Sequence, residues 1–403
     1  MLMNQKNKNM QYLIGDEITC VKGNCLAPYD PLVCKFLSEL SSILLGDIDA
    51  KKYPDVISFA FWCRRANIQM LSQNFNKSYL RIALGTVFHI APSNVPINFA
   101  YSYVFSLLAG NSNIVRVPSK DFEQTKIVCR AIRKLFSTSE YEEISKMTIF
   151  IQYGHDEGVT TDLSSKCNAR IIWGGDDAIE NIRKSPIPAR SIELVFADRY
   201  SICVIGANKI LTASESDLKK ISEDFYNDVY LMDQNACSSP HLIIWLGEDQ
   251  EVKNAKFRFW QGVSSLTCQK YDLQPVNSID KYSLLCERAI EIDTIFKFEQ
   301  YKNFIYRVDL LELPKNMESC RGKYGFFYEY TTTDLNTIRH IVTEKYQTLT
   351  YFGVDKKVLR DFVIKNHLPG IDRIVPIGSA LDIGVIWDGF DIVSHLSRIV
   401  DIK

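Results

Sequence analysis

At 403 residues the chain is longer than one hydrophobic core normally serves, so two intimately packed domains are expected. Its 46% apolar and 24% charged composition is that of an ordinary soluble globular protein. With 47 basic against 48 acidic side chains, no overall field exists to hold nucleic acid or an anionic membrane.

The opening stretch "MLMNQKNKNMQYLIGDEIT" is polar and lacks the apolar segment of a signal peptide. Residues 1–79 read as a lead-in packing on the first domain, with one helix around "PLVCKFLSELSSILL". From Leu80 strand and helix patterns alternate. "LRIALGTVFHIA" reads as a strand running into the turn-rich "PSNVP", and "INFAYSYVFSLLA" as a helix stopped at Gly110. "NIVRV", "MTIFIQY", "ARIIW", "SIELVF" and "SICVIG" read as further strands, and "DFEQTKIVCRAIRKLF" and "DDAIENIRKS" as helices. Near-continuously apolar strands alternating with helices indicate a parallel sheet covered on both faces, over residues 80–210. Such sheets bind ligands where strands lead into helices, which singles out "APSNVP" and "GGDD"; neither is a GxGxxG phosphate turn.

A second α/β domain is expected over 211–372. Helix-like "SDLKKISEDFYNDVYLM" precedes the strand "HLIIWL" and two long helical segments. Strands "NFIYRVDLLEL", "YGFFYEY" and "QTLTYFG" follow, with helices "DLNTIRHIVTEK" and "KKVLRDFVIKNH". Residues 373–403 either return to the first domain or form a subunit contact. No apolar run reaches the roughly 20 residues of a membrane helix, so no membrane span is expected. Eleven scattered cysteines without a CxxC pair suit a reducing, cytoplasmic setting.

Most of those cysteines lie in helix or strand patterns and read as core filler, Cys129 and Cys203 among them. Cys237, in "DQNACSSPH", instead occupies a loop between a helix end and a strand. It is either a nucleophile, with its own backbone N–H as oxyanion donor, or a structural thiol. Asn94 either donates its amide to a developing oxyanion or caps the helix starting near Pro96, capping being the better reading of the residue alone. Arg116 and Lys120 either hold a phosphate or are solvated charge. His89 reads as a satisfied core residue, and His241 is poorly placed to reach back to Cys237. No spacing of metal ligands is present, so a metal site is not expected.

Together these loops resemble the aldehyde dehydrogenase superfamily. "GTVFHIAPSNVPINFAYSYVFSLLAGNSNIVRVPSK" is similar to its strand–PxN–helix–GN–strand–KPS run, "RIIWGGDD" to its second cofactor loop, and "QNACSSPH" to its nucleophile loop. Within the superfamily, "KYQTLTYFG", "DRIVPIGSALDIGVIWDG" and "SHLSRIV" are closest to the long-chain acyl-CoA reductase family. The resemblance covers about Leu80 to Lys403. It implies an aldehyde dehydrogenase-like fold, two parallel-sheet α/β domains with the active site between them. The first domain would bind a dinucleotide and the second would carry the nucleophile.

By the same resemblance, Cys237 is the nucleophile and Asn94 joins the Cys237 N–H in the oxyanion hole. Ala91, Pro92, Ser93, Arg116, Ser119, Lys120, Gly174 and Gly175 fall on the cofactor loops. Ser119 stands where the superfamily often has a glutamate that binds the ribose hydroxyls of NAD. Losing that anion beside Arg116 and Lys120 favours the 2′-phosphate of NADPH. Aldehyde-oxidising members activate water with the glutamate of an "ELGGK" motif; here the region reads "SIELVFADRYS", and Glu193 is not assigned that role. The implied reaction is NADPH-dependent reduction of an acyl-CoA or acyl-protein thioester to an aldehyde through Cys237. The alternatives are oxidation of a free aldehyde, or a protein that accepts an acyl group without redox turnover. Two further departures are the altered residues "NA" before Cys237, in place of "GQ", and a short amino-terminal part. The latter leaves a homo-oligomer open.

Overall fold

The apolar runs "TVFHI", "SNIVR", "TIFIQ", "ARIIW" and "IELVF" become strands of one sheet, because strands buried on both faces need apolar side chains in both directions. The computed structural model describes residues 10–16, 18, 25–76, 78–154 and 156–403. These form two compact units, one reaching to Ala197 and including Phe390–Lys403, the other spanning Asp198–Gly389.

In the first unit, β1 (Gln11–Ile14) is followed by helices α1 (Pro31–Gly46), α2 (Pro54–Trp62) and α3 (Arg65–Asn74). Among its described residues the lead-in thus holds three α-helices and a strand where one helix was expected. α2 and α3 are only 9 and 10 residues long, and α2 opens on a proline that reads as a breaker unless it stands at the first turn. Next come β2 (Leu80–Ala83), β3 (Thr86–Ile90), α4 (Asn98–Leu108), β4 (Ser112–Arg116), α5 (Glu123–Phe136), α6 (Glu142–Lys146), β5 (Thr148–Gln152), α7 (Glu157–Ser164), β6 (Ala169–Trp173), α8 (Asp176–Arg183) and β7 (Ile192–Phe196). The sheet runs β1-β5-β4-β3-β6-β7 and is parallel except for β1 at the edge.

"LRIALGTVFHIA" is two strands rather than one. Gly85 breaks it at φ +130°, where a Cβ would stand 2.3 Å from Asn168 Oδ1. β2 leaves the sheet and pairs antiparallel with the C-terminal strand Ser397–Val400. α4 is buried at every position from Phe99 to Leu108 and ends at Gly110 (φ +86°), where a Cβ would meet the Leu26 carbonyl at 2.1 Å. His89 is a satisfied core residue: Nδ1 lies 2.8 Å from Ser102 Oγ, Nε2 lies 3.0 Å from Asn113 Oδ1, and burial brings its pKa down to about 4. Cys129 and Cys203 are buried core thiols.

The second unit comprises β8 (Tyr200–Gly206), α9 (Ala207–Thr212), α10 (Glu215–Val229), β9 (Pro240–Leu246), α11 (Asp249–Lys270), α12 (Pro275–Glu291), β10 (Ile295–Tyr301), β11 (Ile305–Leu310), β12 (Phe326–Thr332), β13 (Tyr346–Phe352), α13 (Lys356–Lys365) and β14 (Arg373–Pro376). "DLNTIRHIVTEK" forms a 3₁₀ helix over Leu335–Ile341 instead of an α-helix. The sheet order is β10-β11-β12-β9-β8-β13-β14, parallel except at β10–β11. β8 was read with the first domain, yet its ladder partners are β9 and β13, so the division falls at Ala197/Asp198 instead of 210/211. Apolarity marks a strand as buried without saying which sheet it joins. The segment 373–403 is likewise divided, β14 pairing with β13 while Phe390–Lys403 belongs to the first unit. Apolar clusters cover both faces of this second sheet. Beneath one of them Glu329 is fully buried, accepting from Trp245 Nε1 (2.7 Å), Trp260 Nε1 (2.8 Å) and Arg307 Nε (3.0 Å).

Candidate active site

The chain leaves α10 through a 3₁₀ turn and reverses at Asp233 and Gln234, both left-handed at φ 52° and 60°. The reversal is held by one buried side chain. Gln234 Nε2 donates to the carbonyls of Pro240 (2.9 Å) and Phe326 (3.0 Å), and Oε1 accepts from the N–H groups of Gly325 and Phe326, both at 3.1 Å. Farther on, Ser239 Oγ donates to the Asp228 carbonyl at 2.7 Å. Ser201 Oγ, at the start of β8, donates to the Cys237 carbonyl at 2.6 Å and accepts from Thr348 N–H at 3.2 Å. Cys237 is therefore pinned at the amino edge of the second sheet, ahead of β9 and beside the starts of β8 and β13.

Its Sγ accepts a hydrogen bond from Gln347 Nε2 at 3.4 Å. Burial, with Asp388 adding to it, pushes the thiol up to about 11 against the Gln347 hydrogen bond, so it rests in the neutral form near pH 7. His241 is no base for it. Burial brings the imidazole down to about 3, Nδ1 accepts from Gly322 N–H at 3.3 Å, and the ring stacks on Tyr200. The segment after β14 is gripped from two sides. Asp228 accepts from the N–H groups of Gly378 (2.7 Å) and Ala380 (2.8 Å), while Arg373 donates to the carbonyls of Ser379, Ala380 and Asp382. Arg373 also covers the Trp387 ring at 4.5 Å. Asp388, left-handed at φ 48°, has a buried carboxyl pushed up to about 6 and bonded to Gln347 Nε2. Sequence reasoning assigned nothing to Asp228, Gln347, Arg373 or Asp388. Their signal was only the pair of motifs "KYQTLTYFG" and "DRIVPIGSALDIGVIWDG" that contain the last three.

In the first unit, β4 and β5 extend the sheet to one side of β3 while β6 and β7 lie on the other. The switch point therefore falls between β3 and β6, and the loops opening there are those of Ala91–Asn94 and Gly174–Gly175. Ser93 and Asn94 are exposed. α4 starts at Asn98 with Ile97 as its N-cap and no side-chain cap, so Asn94 does not cap it. Gly175 is the N-cap of α8, and open space lies where its Cβ would stand. Asp176 and Asp177 in the next turn supply that helix end with negative charge of the chain's own. Arg116, at the end of β4, lies over the Tyr153 ring at 4.5 Å and donates to the Gly154 carbonyl at 3.1 Å. Ser119 and Lys120 line a pocket of about 640 Å³ together with Lys126, Arg130 and Arg133; Arg116 is not part of its lining.

Residues 64–399 match the acyl-CoA reductase (LuxC) family. The chain belongs to that family. Among curated relatives, a long-chain acyl-protein thioester reductase of Vibrio harveyi is 25% identical over 303 residues, 73% of this chain and 58% of that protein. One from Photorhabdus luminescens is 23% identical, covering 54% of this chain and 45% of the relative. The chain thus spans about half the length of the curated relatives it matches. Solved structures similar to it include a salicylaldehyde dehydrogenase from Pseudomonas putida G7 (TM-score 0.63, 10% identity, 93% of this chain and 85% of that one). A 1-pyrroline-5-carboxylate dehydrogenase from Thermus thermophilus gives a TM-score of 0.61 at 12% identity, covering 93% and 81%. The fold of this acyl-CoA reductase family member is therefore aldehyde dehydrogenase-like, the two-sheet α/β architecture expected.

Glu193, on β7, is ion-paired with Arg170 and with Arg183 Nε at 2.7 Å. Burial alone would raise its pKa, but the two arginines together hold it below the ordinary carboxylate value. A carboxylate so held is a poor proton acceptor. Among the described residues no cluster of His, Cys, Asp or Glu is placed to hold a metal ion, and no helix is long and apolar enough to cross a membrane.

Proposed function

We propose that this protein reduces a fatty acyl thioester to the aldehyde through an acyl group carried on Cys237. The observation that carries the reading is the loop thiol of Cys237, whose Sγ is met by an amide donor, Gln347 Nε2. Cys237 Sγ bonds to the acyl carbon, the bond to the carrier sulfur breaks, and the Cys237 proton leaves with the carrier thiol. NADPH, when bound, supplies the hydride. The resulting thiohemiacetal then collapses, its Sγ–carbon bond breaks, the aldehyde departs, and Sγ takes up a proton from solvent to restore the thiol. Asn94 and the Cys237 N–H are assigned to the oxyanion. The "ELGGK" motif is missing, and Glu193 of the corresponding region is held by Arg170 and Arg183, which disfavours oxidation of a free aldehyde.

For the cofactor we assign the Ala91–Pro92–Ser93 loop, Gly174 and Gly175 at the switch point, and Arg116, Ser119 and Lys120 at the end of β4. The open space at Gly175 and the cationic lining around Ser119 and Lys120 suit a phosphate-rich ligand, and the absence of an acid at Ser119 favours NADPH over NADH. The acyl donor is acyl-CoA or an acyl-carrying protein, the latter in keeping with the names of the curated relatives. The free thiols, including exposed Cys268 and Cys286, suit a reducing cytoplasm.

The test follows NADPH absorbance with decanoyl- and tetradecanoyl-CoA. Turnover is expected, and Cys237→Ala abolishes it. No Cys237-dependent loss of NADPH on any chain length refutes the reading. A stable acyl adduct that NADPH does not discharge would instead identify an acyl-accepting partner.

A further inference from the structure

β13 carries one residue more than β8 where the two strands pair, since Tyr346 faces Tyr200 and Leu349 faces Ile202. The surplus is absorbed at Gln347 and Thr348, where Thr348 N–H donates to Ser201 Oγ. A bulge of this kind takes a side chain out of the regular alternation and re-aims it. Gln347 is fully buried, and its Nε2 donates to both Cys237 Sγ, at 3.4 Å, and Asp388 Oδ1. Chemistry fixes which way the amide faces: an ionised Asp388 only accepts, and Thr348 Oγ1 donates to Gln347 Oε1 at 3.3 Å. The NH₂ end is therefore the end that meets the sulfur.

We propose that Gln347 is a catalytic residue whose amide donates to Cys237 Sγ whenever that sulfur carries negative charge, and that Asp388 is the positioning residue that aims it. The assignment deepens the acyl-thioester reading and rests on it. Charge appears on Sγ twice in that reaction, when the thiolate attacks and when it leaves the thiohemiacetal. A donor fixed beforehand at that atom lowers both barriers, whereas an oxyanion hole serves only the oxygen. The other charged groups acting on Sγ are Asp388, Asp198, Arg199 and Arg373. Arg321 pairs with Asp198 at 2.8 Å, Arg199 pairs with Asp372, and Arg373 is committed to backbone carbonyls. Among the described residues, that leaves Gln347 as the hydrogen-bond donor at the sulfur.

The experiment measures the pH profile of iodoacetamide alkylation at Cys237, by peptide mass, on the full chain without substrate. Gln347→Met keeps the bulk and removes the donor, so the profile should move up by about one pH unit, roughly a tenfold lower rate at pH 8. Asp388→Asn keeps an acceptor for Gln347 and removes the negative charge, so its profile should move down. Cys129 and Cys203 remaining unlabelled certifies that each variant is folded. Acylation of Cys237 by decanoyl-CoA, read by intact mass without NADPH, should slow about tenfold in Gln347→Met and in Asp388→Ala, and recover in Asp388→Asn. A Gln347→Met profile that coincides with wild type overturns the assignment; should that variant unfold, failure of Asp388→Asn to rescue acylation overturns it instead. Alkylation needs no acyl substrate. A moved profile in a protein that consumes no NADPH with any acyl-CoA would therefore sink the reductase reading and leave the donor assignment standing.

Discussion

Replacing Gln234 with alanine tests whether one side chain holds the Cys237 loop to its sheet. Gln234 is 1% exposed and satisfies four backbone groups, the carbonyls of Pro240 and Phe326 and the N–H groups of Gly325 and Phe326. The β9–β12 ladder begins only at Leu242 and Tyr328, so these groups lie outside it and lose their partner with the amide. An orphaned buried group costs about 1–3 kcal/mol, and four at the low end amount to about 4 kcal/mol. The left-handed backbone at position 234 is as unfavourable for alanine as for glutamine and cancels. For a unit of this size each kcal/mol lowers the melting temperature by about 2–4 °C, so scanning calorimetry should show a fall of about 8–16 °C. Gln234→Gly, which adopts φ 60° freely, should recover about 1 kcal/mol of the loss. A fall below about 3 °C in Gln234→Ala would show that the loop is held by something else.

Two further outcomes follow from charge placement. Lys281 is 1% exposed with Nζ bonded to the carbonyls of Asn303 and Tyr324, and burial brings its pKa down to about 7. The unfolded chain keeps that proton up to about pH 10.4 and the folded chain releases it near 7, so stability should rise with pH across that window, by at most about 1.4 kcal/mol per unit. Lys281→Met should lack the rise; a wild-type-minus-variant melting difference equal at pH 7.5 and 9.5 would contradict the assignment. For the cofactor, Arg116→Ala with Lys120→Ala should lower kcat/KM for NADPH about tenfold or more while sparing NADH, since a charged hydrogen bond to phosphate is lost. An unchanged NADPH/NADH preference would place the 2′-phosphate elsewhere.

The strands from β3 to β7 were legible because a parallel sheet demands apolar side chains on both faces, and "VFHI", "ARIIW" and "SIELVF" announce it. The membership of β8 was not, since "SICVIG" is equally apolar whichever sheet it joins and both its partners lie later in the chain. Cys237 stood out because Ser238, Ser239 and Pro240 suit neither helix nor strand interior. Gln347 could not stand out. Its reach to Cys237 spans 110 residues and depends on a single surplus residue in β13, which no periodicity records. Asp388 was hidden in the same way, its carboxyl turned inward by a left-handed backbone at a position that reads as an ordinary Asp-Gly turn.

The two sheets place their candidate sites at opposite edges, and the chemistry of the cysteine follows from this. The loops assigned to the cofactor lie at the carboxyl edge of the first sheet, where α4 and α8 begin. Cys237 lies at the amino edge of the second, where the helices of a parallel α/β layer end. A thiol there gains no help from a helix N-terminus, the usual device for lowering a cysteine pKa. Burial and the Asp388 carboxyl act in the same unfavourable direction, which is why the thiol stands near 11. A neutral side-chain donor can stabilise the charged sulfur there and is buried cheaply. A glutamine amide meets both conditions, and the bulge in β13 delivers it with one residue.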